Sequence, residues 1–225
     1  MLGLSNALVH NALLDAWAVL VPVDCAGCAA PDRALCPACR GSLAPAPAWH
    51  QLPDGTPAVS GLDYAGTVRQ VILAFKEKGR TDLARQLAAP LTVALEQIAP
   101  AAGRMPPELA PVPTSRASYR RRGYDPVAIL VRRAGLSASR VLRHSRGTLE
   151  QKTLDMESRS RNLAGSLRAA YPLNGRSFIL VDDVMTTGAT LAEAARAIRE
   201  AGAAVTAAVT VAHTARLIPG DSSSS

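Results

Sequence analysis

Phe178-Ile-Leu-Val-Asp-Asp-Val-Met-Thr-Thr-Gly-Ala-Thr190, followed by a helix-periodic run from Leu191 to Ala201, reads as a buried strand, a tight turn and the first turn of a helix. Four consecutive apolar residues, Phe178 to Val181, suit a central strand covered on both faces. Asp182 and Asp183 then emerge at its C-terminal end, the edge at which open α/β sheets bind ligands. Val184, Met185, Thr186, Thr187, Gly188, Ala189 and Thr190 complete the turn with mostly small side chains, hydroxyls and backbone N–H groups at the positive end of a helix dipole. That composition suits a phosphate cradle. Two adjacent carboxylates beside a phosphate are electrostatically awkward unless the ligand also carries a sugar diol, whose hydroxyls donate to them. The alternatives are a helix cap with a solvated acid, or a magnesium site for a nucleotide; the GxxxxGK[ST] loop of the common triphosphate site is absent.

Outward from this stretch, short apolar runs at Leu109 to Val112, Arg140 to Leu142 and Val205 to Val211 alternate with helical patterns. Such alternation predicts an α/β domain with a largely parallel sheet. Upstream, Val68, Val71, Ile72 and Phe75, then Leu83, Leu87, Leu91 and Leu95, fall at helical spacing and read as core stripes. Residues 41 to 58 carry Gly41, Pro45, Pro47, Pro53, Gly55 and Pro57, which predicts a connector too punctuated for a helix or central strand. The expected organisation is an N-terminal helix over 1–20, a cysteine module with Pro-rich connector over 21–60, the α/β domain over 61–218 and a frayed tail over 219–225.

All four cysteines lie within fifteen residues, as Cys25-Ala-Gly-Cys28 and Cys36-Pro-Ala-Cys39. Two CxxC turns separated by a short loop bring four thiolates onto one tetrahedral zinc, and four protein ligands leave no position open for water, so such a zinc is structural. Paired disulfides and four reduced thiols are the competing readings, and disulfides are rare in a reducing compartment.

The 225 residues are 48% hydrophobic and 19% charged, enough to close a core and too few charges for a disordered chain. Net charge is +7, but residues 101 to 170 alone hold 14 basic against 5 acidic side chains. A local cationic excess implies an anionic partner such as phosphate, pyrophosphate or a nucleic-acid backbone. Only Lys76, Lys78 and Lys152 are lysines, and arginine suits bidentate phosphate contacts. The apolar stretch near the N-terminus is interrupted by Asn6, His10, Asn11 and Asp15 and lacks a preceding cation, so Leu4 to Leu20 is expected as an amphipathic helix without membrane insertion, with the cytoplasm as the expected location.

The thirteen residues quoted first resemble the phosphoribosyl-diphosphate (PRPP) binding signature of type I phosphoribosyltransferases, and their combination with two CxxC pairs resembles the ComF family, implicated in bacterial competence. Further family-like segments are Tyr64-Ala-Gly66, Phe75-Lys-Glu-Lys-Gly-Arg80, Pro111-Val-Pro113, Arg120 to Tyr124, and Thr148-x2-Gln151-x2-Leu154-x4-Arg159-x2-Asn162. The resemblance implies a parallel-sheet phosphoribosyltransferase fold with a small zinc module. It further implies that Asp182 and Asp183 orient the ribose, that Val184 to Thr190 bind its phosphate, and that Pro113 to Arg116 form a pyrophosphate loop. Arg120, Arg121 and Arg122 would assist the diphosphate, with Mg²⁺ accompanying PRPP. The Thr148 to Asn162 segment, with Arg159 and the nearby Arg146 and Lys152, would close over the substrate. Arg132, Arg133 and Arg140 read instead as cations on solvated helix faces. Two departures bear on the acceptor: Arg122-Gly-Tyr-Asp125-Pro126 stands where many relatives read Asn-Gln in its last two positions, and Ala117 and Ser118 stand where a basic residue is common.

Three functions are compatible with this sequence. One is a phosphoribosyltransferase with an unknown acceptor. Another is an adaptor in DNA uptake that engages single-stranded DNA or a competence helicase, against which stands an aromatic content of only 4%. The last is a regulator that senses PRPP without turning it over. Oligomeric state is left open.

Overall fold

A computed structural model describes residues 23–31, 33–98, 106–145 and 164–214. The expected helix at Leu4 to Leu20, the Thr148 to Asn162 segment with Arg159, Arg146 and Lys152, and the final tail lie outside the described residues. In chain order the elements are α1 (Pro37–Gly41), β1 (Ala48–Gln51), β2 (Pro57–Ser60), α2 (Gly66–Glu77), a 3-10 turn (Thr81–Leu83), α3 (Ala84–Glu96) and β3 (Glu108–Pro111). They continue with α4 (Arg116–Arg122), α5 (Pro126–Arg133), β4 (Leu142–His144), β5 (Leu167–Ala169), β6 (Ser177–Met185), α6 (Ala189–Glu200) and β7 (Ala204–His213).

The main sheet runs β1-β2-β7-β6-β3. β2, β7, β6 and β3 are mutually parallel and β1 is an antiparallel edge strand. The apolar run at the start of β6 places that strand at the centre, flanked by β7 and β3, because its side chains must be buried alternately on both faces. Ile179 and Val181 join Val59, Val209 and Val211 under α2, α3 and α5. Phe178 and Leu180 face the opposite way, with Ala110, Val112, Ala208 and the Leu191, Ala194, Ala195 and Ile198 face of α6. The alanines let α6 lie close to the sheet. A small antiparallel pair, β4 with β5, extends this second layer. It is tied to α6 by Glu193, which accepts the Leu167 N–H at 3.0 Å while bonded to Arg196 at 2.7 Å.

Two expectations change. Residues 41 to 58 do not form a plain connector: after the end of α1 at Gly41 they hold β1 and the start of β2, an inner strand of the sheet. Pro57 is compatible because it is the first residue of β2, where a missing N–H costs no interior ladder bond. The strand carrying the acids is also longer than Phe178 to Val181, since pairing with β7 continues to Met185 opposite His213. Asp182 and Asp183 therefore sit within the sheet's last ladder steps, with the cradle turn one step beyond.

Candidate ligand-binding site

The turn from β6 into α6 pivots on Gly188, which adopts φ +75°, the left-handed region, as the residue before the first helical position. A Cβ there would also stand 3.0 Å from Leu52 and 3.2 Å from Pro53 in the β1–β2 loop. Both constraints select glycine. Asp182, Val184, Met185, Thr186, Gly188, Ala189 and Thr190 line a hollow of about 30 Å³ at the α6 N-terminus. Thr186, Thr187 and Thr190 are exposed, and Thr187 Oγ1 accepts the Ala189 N–H at 3.3 Å. The structure thus brings together the residues expected to hold a phosphate, beside one of the two acids.

The acids differ. Asp183 is buried, and its Oδ1 accepts from Lys76 Nζ of α2 at 2.8 Å. The sequence reading left both carboxylates available to a sugar; one of them instead has a cationic partner within the protein. Asp182 is half-buried and its Oδ1 accepts the Asp183 backbone N–H at 2.8 Å. Burial, reinforced by the Asp183 charge, pushes the Asp182 carboxyl up to about 8, with the Asp183 N–H and Lys76 opposing. At neutral pH Asp182 therefore holds a proton readily and is poised to share hydrogen bonds with hydroxyls.

Lys76 is aimed by the end of α2, which docks on the segment after α4. The Tyr124 hydroxyl donates to the Phe75 carbonyl, and Glu77 accepts from Arg121 at 2.8 Å and Arg122 at 2.7 Å. Phe75-Lys-Glu-Lys-Gly-Arg80 is therefore the hinge between the acids and the arginine-rich helix. Lys76 went unassigned in the sequence because nothing local to it signals a partner more than a hundred residues downstream.

β3 leads abreast of β6, with the Val112 N–H donating to the Val181 carbonyl at 2.9 Å. The chain therefore leaves into Pro113 to Arg116 next to the acid-bearing end of β6. Ser115 caps α4 by accepting the Ser118 N–H at 3.1 Å. The arginines of α4 part company. Arg121 and Arg122 turn to Glu77, and Arg122 Nε is buried without a partner among the described residues. Arg116 and Arg120, with Pro113 and Thr114 of the preceding loop, line a cavity of about 590 Å³, joined there by Arg132 and Arg140. The last two are exposed, in keeping with the solvated reading, and α5 and the segment before β4 also bring them to the rim of this cavity, a convergence that no sequence spacing announces.

The four cysteine sulfurs all lie within 4.8 Å of one another. Cys28 and Cys36 Sγ atoms are 3.7 Å apart, matching the ~3.8 Å edge of a tetrahedron with ~2.3 Å zinc–sulfur bonds. Backbone N–H groups of Cys36 and Cys39 donate to Cys25 and Cys36 Sγ at 3.3 and 3.4 Å. Burial would raise the Cys25 thiol, but backbone donors outweigh it and hold it at about 6, whereas burial and the neighbouring sulfurs push Cys39 up to about 12. Four crowded thiolates require a cation, and this donor set fits zinc. The module is part of the core: Cys25, Leu35, Cys39 and Leu43 are buried in the α2–α3 layer. Gly27 lies so close to it that a Cβ would meet Cys39 Sγ and Thr67 Cγ2 at 2.7 Å. Arg80 fastens the loop by donating to the carbonyls of Asp24 and Ala34 at 3.0 and 3.2 Å.

Residues 121–223 match the phosphoribosyl transferase domain family. The chain is 28% identical over 197 residues to the DNA utilization protein YhgH of Escherichia coli O6:H1, covering 80% of this chain and 84% of that one. Adenine phosphoribosyltransferase of Mycobacterium avium is 56% identical over 39 residues, 17% of this chain and 22% of the enzyme. The crystal structure of orotate phosphoribosyltransferase from Aeropyrum pernix aligns over 76% of this chain and 75% of its own at 20% identity, with a TM-score of 0.33. Among the described residues, no helix is long and apolar enough to cross a membrane.

Proposed function

We propose that this chain, which carries a phosphoribosyl transferase domain and, with its four-cysteine module, resembles the ComF family, binds PRPP at the β6–α6 turn and displaces pyrophosphate from it with an acceptor yet to be identified. The observation that carries the reading is the coincidence of the Gly188 pivot, the helix N-terminus and Asp182 around one hollow.

The ribose phosphate sits against Thr186 to Thr190, where backbone N–H groups and hydroxyls meet it. Asp182 receives the ribose hydroxyls, and the Asp183 oxygen not bonded to Lys76 completes the contact. Pro113 to Arg116, with Arg120 beyond it, receives the diphosphate; Arg122 reaches it only by loosening its pair with Glu77. Asp182 is the acid that would hold Mg²⁺ accompanying the diphosphate, and that ion would offset charge on the leaving group. As the anomeric carbon loses pyrophosphate, the carboxyl oxygens of the acid pair hold the sugar's hydroxyls in place while the arginines stabilise the departing anion.

Similarity to DNA utilization proteins favours a second reading, in which the same fold serves DNA handling as an adaptor to single-stranded DNA or a helicase, without turnover. Pyrophosphate release separates the two. Incubating the protein with PRPP, Mg²⁺ and a panel of amines and nucleobases yields acceptor-dependent pyrophosphate on the first reading; binding of PRPP with no release for any acceptor would leave a sensor or adaptor.

A further inference from the structure

The cavity between α4, α5 and Leu142 has a character of its own. At about 590 Å³ it falls in the ~300–1,000 Å³ range of small-ligand sites. Arg116 and Arg120, one helical turn apart on α4, meet Arg132 from the last turn of α5 and Arg140 from the segment before β4. None of the four side chains has an ion-pair or hydrogen-bond partner among the described residues, whereas Arg121 and Arg122 both pair with Glu77. Asp125 is the one carboxylate in the lining. It is already engaged, accepting the Thr114 hydroxyl and, as the N-cap of α5, the Ala128 N–H, each at 3.2 Å.

Four exposed like charges drawn from three segments around one hollow form a concentrated positive field that an anion can enter. An arginine that merely covers a solvated helix has no reason to converge; Arg133, next to Arg132, lies outside the lining. The cavity also has aromatic walls. Tyr124 is fixed by its bond to the Phe75 carbonyl, and Tyr119 presents its ring at 51% exposure, in a chain with 4% aromatic residues. Guanidinium forks pair with phosphate oxygens, and exposed aromatic rings stack nucleobases. Inorganic phosphate would use the arginines and leave Tyr119 idle.

We infer that this cavity is a nucleotide site: it takes a phosphate ester bearing a nucleobase, with the phosphate among the four arginines and the base on Tyr119. A free mononucleotide and the 5′-phosphorylated end of a single strand present the same chemistry. Pro113, Thr114, Arg116 and Arg120 are shared with the diphosphate of the PRPP reading, on whose loop assignment this inference borders; Arg132 and Arg140 belong to the nucleotide site alone.

The test is titration of thymidine 5′-monophosphate, a 5′-phosphorylated short oligothymidylate and inorganic phosphate into the full chain and its variants. Arg132→Gln with Arg140→Gln removes two exposed charges, and circular dichroism checks that the fold persists. The double variant should weaken nucleotide binding roughly tenfold or more through loss of charge-assisted contacts while leaving PRPP affinity unchanged. Tyr119→Ala should weaken it severalfold and Tyr119→Phe should retain it. Binding of the oligonucleotide alone assigns the site to strand ends, and binding of the monophosphate alone assigns it to free nucleotides. Wild-type affinity in the double variant, equal affinity for inorganic phosphate, or binding of neither nucleotide probe would overturn the inference. Asp182→Asn, at a residue outside this lining, should leave nucleotide affinity intact, so loss of PRPP binding in that variant and loss of nucleotide binding in the double arginine variant read the two proposals apart.

Discussion

Lys76 redefines the acidic pair. With its Nζ on Asp183, the two neighbouring carboxylates are no longer equivalent: one is neutralised by the protein and the other is left to the ligand. Lys76→Met should destabilise the chain by on the order of 2 kcal/mol, below the usual cost of breaking a fully buried pair because Lys76 retains 23% side-chain exposure. Adding Asp183→Asn should recover part of that loss, measurable by urea denaturation. Asp182 gives a pH signature. Its carboxyl is raised from 3.8 to about 8, so the folded state holds a proton that the unfolded chain releases. The resulting stabilisation is complete below about pH 4 and is lost as pH climbs through about 8. Asp182→Asn removes that dependence; its melting temperature should exceed that of the wild type by a margin that grows from pH 5 to pH 8, at the expense of PRPP binding. A constant margin would contradict the assignment.

At the scale of elements, the β6–turn–α6 unit was readable from thirteen residues because its apolar run, acids and glycine are contiguous and each is dictated by local chemistry. Gly188→Ala should cost about 1–3 kcal/mol from the left-handed backbone and the Leu52 contact, and should lower PRPP affinity by more than tenfold in a calorimetric titration. The β1–β2 hairpin was illegible for the opposite reason. Its prolines and glycines are loop signals, and only pairing with β7, about 150 residues away, makes β2 an inner strand. Arg120 and Arg122 looked alike in sequence; the pitch of α4 sends one to a cavity and the other to Glu77, a choice set by where α2 ends. Tertiary partners, not periodicity, decided both cases.

At the scale of the molecule, the cysteine cluster is legible as a motif but not as part of the core. Cys25 and Cys39 are 3% and 5% exposed and share the layer formed by α2 and α3. Removing the metal should therefore unsettle the whole domain rather than a detached appendage. Elemental analysis should find about one zinc per chain, and chelation should lower the melting temperature by on the order of 10 °C, as should Cys39→Ser. An unchanged melting curve would mean that the four thiols hold the core without metal. The cationic excess of residues 101 to 170 also acquires a structure: part of it satisfies Glu77, and part converges on one cavity beside the sheet's edge.

The central claim is that the β6–α6 turn grips a phosphorylated sugar with Asp182 beside it. Isothermal titration of PRPP with Mg²⁺ tests it most directly. A saturable heat with one PRPP per chain, abolished by Asp182→Asn in a protein that remains folded, is the predicted result. Absence of saturable heat in the wild-type protein, or undiminished affinity in the variant, would contradict it.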